Sequence, residues 1–589
     1  MKDKENVVTE VAPLDLEKLD AALLRSSSVP SDTPEKPHMS RWEHFKDGFR
    51  RFDEEDAGID PNLPEHERIA QMTAKSTLNR LLKNRHLQMI AIGGSIGTGL
   101  FVGLGKSLHN GGPAGLVLAY ILVGIMIYCT VQSLGELCVT FPVSGAFTTY
   151  NSRFIDPSWG FAMAWNYALQ WLIVMPLELV AASMTIRYWD TETNPAAYVT
   201  IMWVLIAAIN FFGVKGYGEA EFIFSAIKVI AVIGFFILSL VIIGGGGPTG
   251  EKLGSRYWHN PGAWANGFKG LLSVFVVAAF AFTGTELVGL AAAESANPRA
   301  TMPRAIKQVF WRITLFYVIS LVMVSCLVPY NDPRLLGSSS VDASASPFVL
   351  AIVNAHISGL DLVMNVVIMI SVLSVGNSAV FGSSRTLCAL AAAGQAPKIL
   401  SYIDKRGRPL VAVIVQLTFG FLCYLAAYPD QGTVFTWMLA LSGLSSIFTW
   451  GSINVAHIRF RLALRSQNRG TDELTWTSQP GIIGSIVGCT MNVLILVAQL
   501  YVAVRPLGGD PPSAEAFFQS CLSIPVILAF YIVHKVWKRN WRFWIPLKEI
   551  DIDTGRRETD LELVKQEIAE EKAAIKAMPW WKRIYKWWC

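Results

Sequence analysis

The sequence predicts an all-α integral membrane protein of twelve transmembrane helices, and three observations carry that prediction. Of its 589 residues, 52% are hydrophobic and only 16% are charged, whereas a soluble domain carries roughly 25% charged residues. Twelve apolar segments are long enough to cross a bilayer, which takes roughly 20 residues of helix. Two of those segments are interrupted at matching places by small residues that expose backbone, Gly93-Gly94-Ser95-Ile96-Gly97-Thr98-Gly99 and Thr283-Gly284-Thr285-Glu286. A net charge of +5 is small for this length and gives no sign of nucleic-acid binding.

In chain order, residues 1–85 are polar, mix acidic and basic residues and hold no apolar run long enough for a signal core, so they read as a disordered cytoplasmic tail. The transmembrane core is expected over 86–535, with spans at 87–108, 115–141, 160–188, 197–214, 220–243, 267–292, 312–329, 361–394, 410–428, 434–458, 482–503 and 515–534. Pro347 to Ile357 is too short to span and reads as an interfacial helix in a loop. With both termini cytoplasmic, the inner loops hold fourteen Lys and Arg against seven in the outer loops, the asymmetry expected of that orientation. The eight cysteines show no C-x-x-C and no zinc spacing, and all but Cys589 read as packing residues.

The paired breaks point to a transporter. Unwound backbone at membrane depth survives only where it lines a cavity or meets a ligand, and two breaks about 190 residues apart, each opening a similar run of spans, suggest inverted repeats around a midplane site. Gly97, Thr98 and Gly99 would present amide N–H groups at the positive end of a half-helix, a setting that suits a carboxylate. The alternative is close helix packing by small residues. In span six, the carbonyls of the unwound run Phe280-Ala281-Phe282-Thr283-Gly284 would accept from an ammonium, with Phe280 and Phe282 forming an aromatic face and gate. For the two phenylalanines the alternative is lipid or core contact.

Four ionisable residues inside spans are candidates for moving a proton. Lys228 lies in span five with no acidic residue within about a turn on the same face, and burial would make it a switch; otherwise it snorkels to the inner interface. Glu286, beside the span-six break, is the leading carboxylate, followed by Glu178 after Pro176 in span three. Glu136 is a relay candidate or else pairs a structural group near the interface. Asn377 in span eight would hydrogen-bond across the cavity. Residues 536–589 form a cytoplasmic C-tail with a charged amphipathic helix and a Trp-rich basic end, suited to lipid headgroups or to a partner, where Cys589 is a candidate for S-acylation. No H-E-x-x-H, plausible G-x-S-x-G or metal-ligand cluster occurs, so the chain does not read as an enzyme.

Ile92 to Phe101, Phe282 to Gly289, Ile227-Lys228-Val229, and Phe448-Thr449-Trp450 with His457-Ile458-Arg459-Phe460-Arg461 resemble the fungal amino-acid permeases of the amino acid–polyamine–organocation superfamily. The loop Val328 to Asp332 and the tail Asp551 to Arg557 are similar to the general amino-acid permeases among them. The resemblance implies a LeuT-like fold of five-plus-five inverted repeats with two added helices. It implies proton-driven import of L-amino acids of broad specificity at the plasma membrane, with no cofactor beyond the coupling proton. A specialised permease and a nutrient receptor that senses amino acids are the alternative readings. The backbone around Gly97, Thr98 and Gly99 would then hold the substrate carboxylate, and the carbonyls near Ile96, Phe280, Ala281 and Thr283 its ammonium. Lys228 would stand where sodium-coupled relatives bind an ion. Ubiquitin-ligase machinery would act on the tails, with Lys2, Lys4 and Lys18 as candidate acceptors. Neither the resemblance nor the residues set the oligomeric state.

Overall fold

A computed structural model describes residues 40, 43, 46–51, 89, 96–141, 146–287, 289, 306, 309, 311, 313–336, 346–428, 431–508, 511, 513–554, 556, 570, 573–581 and 583. The chain divides into two units, Met1–Gly48 and Phe49–Cys589. In the first, Ser40 and Glu43 form a reciprocal capping box, the Ser40 hydroxyl accepting from the Glu43 N–H at 3.2 Å and the Glu43 carboxylate from the Ser40 N–H at 2.7 Å.

The second unit is built from helices: α1 (Thr98–Phe101), α2 (Leu104–Thr140), α3 (Ala146–Phe154), α4 (Pro157–Ile186), α5 (Pro195–Phe211), α6 (Gly213–Ile243), α7 (Arg256–His259) and α8 (Gly267–Phe282). A π-helix over Ile313–Ile319 runs into α9 (Ser320–Leu327), followed by α10 (Pro347–Asn354), α11 (Leu360–Ala392) and α12 (Leu410–Gly420) with its 3-10 extension Phe421–Ala427. The order ends with α13 (Gln431–Ser466), α14 (Gly481–Val504), α15 (Ala514–Cys521) and α16 (Ser523–Lys538). Among the described residues seven helices are long and apolar enough to cross a membrane, or eight if α15 and α16, bent by 66°, count as one span. Three shorter apolar segments, Pro195–Phe211, Gly267–Phe282 and Ile313–Leu327, lie where further spans are predicted.

Several boundaries differ from the expectation for identifiable reasons. The first two predicted spans join through α2, which is kinked at Gly112 (φ 70°) before Pro113; the kink is held where the Ala114 N–H donates to the Ala263 carbonyl at 2.9 Å. Span six stops at Phe282, because Thr283 turns to ψ 141° and Gly284 to φ +92°, a conformation an L side chain rarely adopts. α13 runs past its predicted end to Ser466, carrying His457 and Arg461 on its last turns.

α4 is central, with 89% of its most apolar window buried in the protein, while the matching figure for α6 is 28%, which leaves that helix a broad apolar outer surface. α4 starts at the Asp156 N-cap, whose carboxylate accepts from the Ser158 and Trp159 N–H groups at 3.0 Å. Its main neighbours are α11 and α13, and α2 packs chiefly on α8.

Both expected tails touch this core. Although residues 1–85 read as disordered, Phe49, Arg50 and Arg51 lie against the loop before α12: the Lys405 N–H donates to the Arg50 carbonyl at 2.8 Å, Arg51 bridges Asp404, and the Tyr402 hydroxyl donates to the Phe49 carbonyl at 2.8 Å. After α16 the chain is strapped back. The Ile545 N–H donates to the Ile155 carbonyl at 3.1 Å, Gln467 donates to the Ile550 carbonyl at 2.9 Å, and Ile550 and Ile552 are buried in the main core. Arg469 pairs with Glu473 at 2.7 Å and with Asp553 at 2.6 Å, and Arg556 with Glu473 at 3.1 Å.

Candidate functional site

The two breaks meet. α1 follows Gly97, whose carbonyl accepts from the Leu100 and Phe101 N–H groups at 3.1 Å each. Thr98 and Gly99 therefore sit in a first turn, where a helix has no carbonyl of its own to offer their amides. A Cβ on Gly99 would lie 2.5 Å from the Ala281 Cα, and one on Gly97 would lie 2.4 Å from the Val375 Cγ2. The packing reading of these small residues therefore holds, and the same close approach sets the first break against the end of α8.

The second break is braced from three sides. The Thr283 hydroxyl lies 2.8 Å from that of Ser446 on α13. The Glu286 carboxylate accepts from the Tyr167 hydroxyl at 3.3 Å, the Trp450 indole N–H at 3.1 Å and the Gly284 N–H at 3.3 Å. Tyr317, on the π-helix, donates to the Ala281 carbonyl at 2.7 Å. Glu286 thus spends its acceptors holding the unwound turn in shape, and the Ala281 oxygen already has one donor.

Two cavities adjoin the breaks. A small one of about 10 Å³, room for about one water, is lined by Gly97, Thr98, Gly99, Glu178, Phe280 and Thr283 among others. A larger one of about 430 Å³ begins at Thr98, Gly99 and Phe280 and runs between α2, α8, α13, α14 and α15 to Lys106, Pro506 and Gln519. Phe280 lines both, as do Thr98 and Gly99. Phe282, expected to share that role, does not line either. It is buried among Tyr120 and Tyr317, its ring centroid 5.9 Å and 4.3 Å from theirs, so core contact is the reading that holds for it.

Behind the small cavity runs a buried polar chain. The Thr98 hydroxyl donates to the Glu178 carboxylate on α4. The Lys228 ammonium, on α6, interacts electrostatically with Glu178 and Glu221 and donates to the Ser374 hydroxyl at 2.7 Å, which in turn donates to Glu221 at 2.6 Å. Lys228 is fully buried, so the snorkelling alternative fails. Asn377 belongs to this cluster, accepting from the Asn210 amide at 2.9 Å, and does not reach across the cavity. Glu221 escaped the sequence reading, although it lies seven residues before Lys228, two turns away on one face. Tyr167, Trp450 and Tyr317 escaped it too, and nothing local marks them as partners of the break.

Glu136 lies elsewhere. At the inner end of α2 its carboxylate is 2.9 Å from His457 Nε2 and 2.6 Å from Arg461 Nε, and accepts from Arg461 Nη2 at 2.6 Å and from the Ser478 N–H at 2.7 Å. This is the structural pairing held as its alternative, and it ties α2 to α13 and to the loop before α14. Gly93, Gly94, Ser95, Lys2, Lys4, Lys18 and Cys589 lie outside the described residues. Ile96 is buried in the core immediately before the first break.

Comparison with known proteins agrees with this arrangement. Residues 86–547 match the family described as amino acid permease. The chain is 68% identical over 554 residues to the general amino-acid permease GAP2 of Candida albicans, covering 94% of each protein. It is 56% identical over 556 residues to the general amino-acid permease GAP1 of Saccharomyces cerevisiae, covering 93% of this chain and 92% of the relative. Another relative, the S-adenosylmethionine permease GAP4 of Candida albicans, is 49% identical over 540 residues, 91% of this chain and 88% of that one. An all-helical core with broken apolar helices meeting at a buried polar cavity, and these matches along nearly its whole length, place the chain in the amino acid permease family.

Proposed function

We propose that the protein is a proton-coupled symporter that imports L-amino acids of broad specificity across the plasma membrane by alternating access. Twelve spans in a five-plus-five inverted repeat with two added helices, and cytoplasmic termini, complete the reading. Broad specificity is supported by higher identity to general permeases than to the S-adenosylmethionine permease. It also follows from a site that would grip only the groups common to all amino acids: the carboxylate at the Thr98 and Gly99 amides, the ammonium at carbonyls near Ile96, Phe280 and Thr283. Phe280, between the small and large cavities, would close over the bound substrate.

The observation that carries proton coupling is the Thr98–Glu178 hydrogen bond beside the place where a substrate carboxylate would sit. Two carboxylates at such separation repel strongly in a water-poor site. A proton on Glu178 removes that repulsion, so substrate and proton would favour one another's binding, as linkage requires. Lys228, shared with Glu221, would take up the Glu178 charge once the proton leaves. This reading ranks Glu178 and Lys228 above Glu286 and Glu136 as coupling residues. The driving force is adequate: about 2.3 kcal/mol per charge per 100 mV supports roughly 50-fold accumulation. Ubiquitin attachment at Lys2, Lys4 or Lys18 and S-acylation of Cys589 would regulate the protein from its tails.

The test is uptake of radiolabelled L-amino acids into proteoliposomes with and without an inward proton gradient. Gradient-driven accumulation of many substrates is expected. Accumulation of one substrate alone would make it a specialised permease, and tight binding without accumulation would make it a receptor.

A further inference from the structure

Among the described residues, the charge lining the larger cavity is of one sign. Its lining holds one cation, Lys106, beside neutral groups such as Asn110, Gln499 and Gln519, and no carboxylate among the described residues. Lys106 is exposed, and none of the described carboxylates pairs with it. A second ammonium stands at the rim, where Lys269 donates to the carbonyl of Pro506, a lining residue, at 2.7 Å. The nearest acidic side chain on α15, Glu515, is turned to Gln519 Nε2 at 3.3 Å and does not line the cavity.

We propose that Lys106 is a charge-selecting residue of the access route, favouring amino acids with anionic side chains over those with cationic ones before either reaches the binding site. The inference rests on the amino-acid transport reading. Lys106 lies in the first turn of α2, separated from Thr98 by the rest of α1 and by Val102 and Gly103. Its charge therefore meets a substrate in the cavity before that substrate reaches the break. Low-dielectric walls concentrate the field of a charge in such a cleft and raise the local concentration of the opposite sign. A zwitterion without side-chain charge feels little net force, because its two charges nearly cancel. An anionic side chain is drawn in, and a cationic one is repelled.

The full-length protein in proteoliposomes, with an inward proton gradient, supplies the test: initial uptake rates of glutamate, leucine and arginine at subsaturating concentration. The glutamate-to-arginine ratio is expected to fall about threefold in Lys106→Gln and about tenfold in Lys106→Glu. Lys106→Arg should restore it, and leucine uptake should stay within about twofold throughout. The difference between wild type and Lys106→Glu should shrink near 1 M salt, where the Debye length is about 3 Å. Unchanged ratios with intact leucine uptake overturn the inference and leave the transport reading standing. So does a ratio that shifts but ignores salt, which would make Lys106 a contact or packing residue, and so does a wild type that carries leucine but neither charged substrate. A wild type with no gradient-driven leucine uptake overturns the transport reading instead.

Discussion

Glu136 and Glu178 are both buried carboxylates on long central helices, yet their surroundings differ in one respect. Glu136 is met by Arg461, His457 and the Ser478 N–H, so its charge is matched by groups held at hydrogen-bond distance. Glu178 has a threonine hydroxyl, the edge of a cavity, and a share in one lysine that also serves Glu221. Two carboxylates and one ammonium leave a formal deficit of one positive charge, which under the proposed coupling a proton would supply. In a membrane interior a matched carboxylate serves as a fastening, whereas an unmatched one beside a cavity is where an ion can be exchanged.

The largest expected effect breaks the unmatched side. Lys228→Met, similar in length but uncharged, should bring gradient-driven accumulation from tens of fold to about onefold while exchange of internal for external substrate persists; normal pH-dependent accumulation in proteoliposomes would remove Lys228 from the coupling. The matched side should fail differently. Glu136→Gln leaves Arg461 without its counter-charge, and breaking such a pair costs about 3–5 kcal/mol, so the variant should lose thermal stability in detergent while the protein that survives still accumulates substrate. Thr98→Val, which removes the hydrogen bond to Glu178 without changing size, should raise the apparent KM about tenfold and leave the folded yield intact. Phe282→Ala should lower the melting temperature by emptying the cluster with Tyr120 and Tyr317, at about 3–5 kcal/mol, whereas Phe280→Ala should alter apparent affinity with little loss of stability.

The smallest effect concerns charges outside the membrane. Glu473 is held below its ordinary value of 4.5 by hydrogen bonds from Arg469 and then Arg556, against a contrary contribution from burial. A carboxyl depressed on folding stabilises above its ordinary value and loses that contribution as pH falls through the lowered one. The strap over residues 545–554 should therefore resist proteolysis at neutral pH and become cleavable as pH falls below the ordinary carboxylate range. Glu473→Gln should make it cleavable at neutral pH.

How much of this was legible depends on what kind of constraint acts. The bilayer imposes a length and an apolar composition on every span, so α4, α11 and α14 begin and end within a few residues of expectation. Thr-Gly-Thr in an apolar run announces the break that Gly284 makes. Facing was not legible. Phe280 and Phe282 are two residues apart and point to different sides of α8, and only the neighbouring helices decide which side is the cavity. That Glu286 also braces the break could not be read locally, because its partners Tyr167 and Trp450 lie 119 and 164 residues away. Glu221 was readable in principle, since a spacing of seven places it on the Lys228 face.

The π-helix over Ile313–Ile319 has a consequence for the evolution of the chain. A π-turn is an α-helix carrying one residue too many, and such turns cluster at functional places. Here it presents Tyr317 to the Ala281 carbonyl at the second break. Deleting any one residue of 313–316 would relax the turn to ordinary helix and remove the widened backbone that aims the Tyr317 hydroxyl at its acceptor. A length change of one residue in a stretch of Ile, Thr, Leu and Phe, invisible to hydropathy, is therefore expected to be among the least tolerated in the protein.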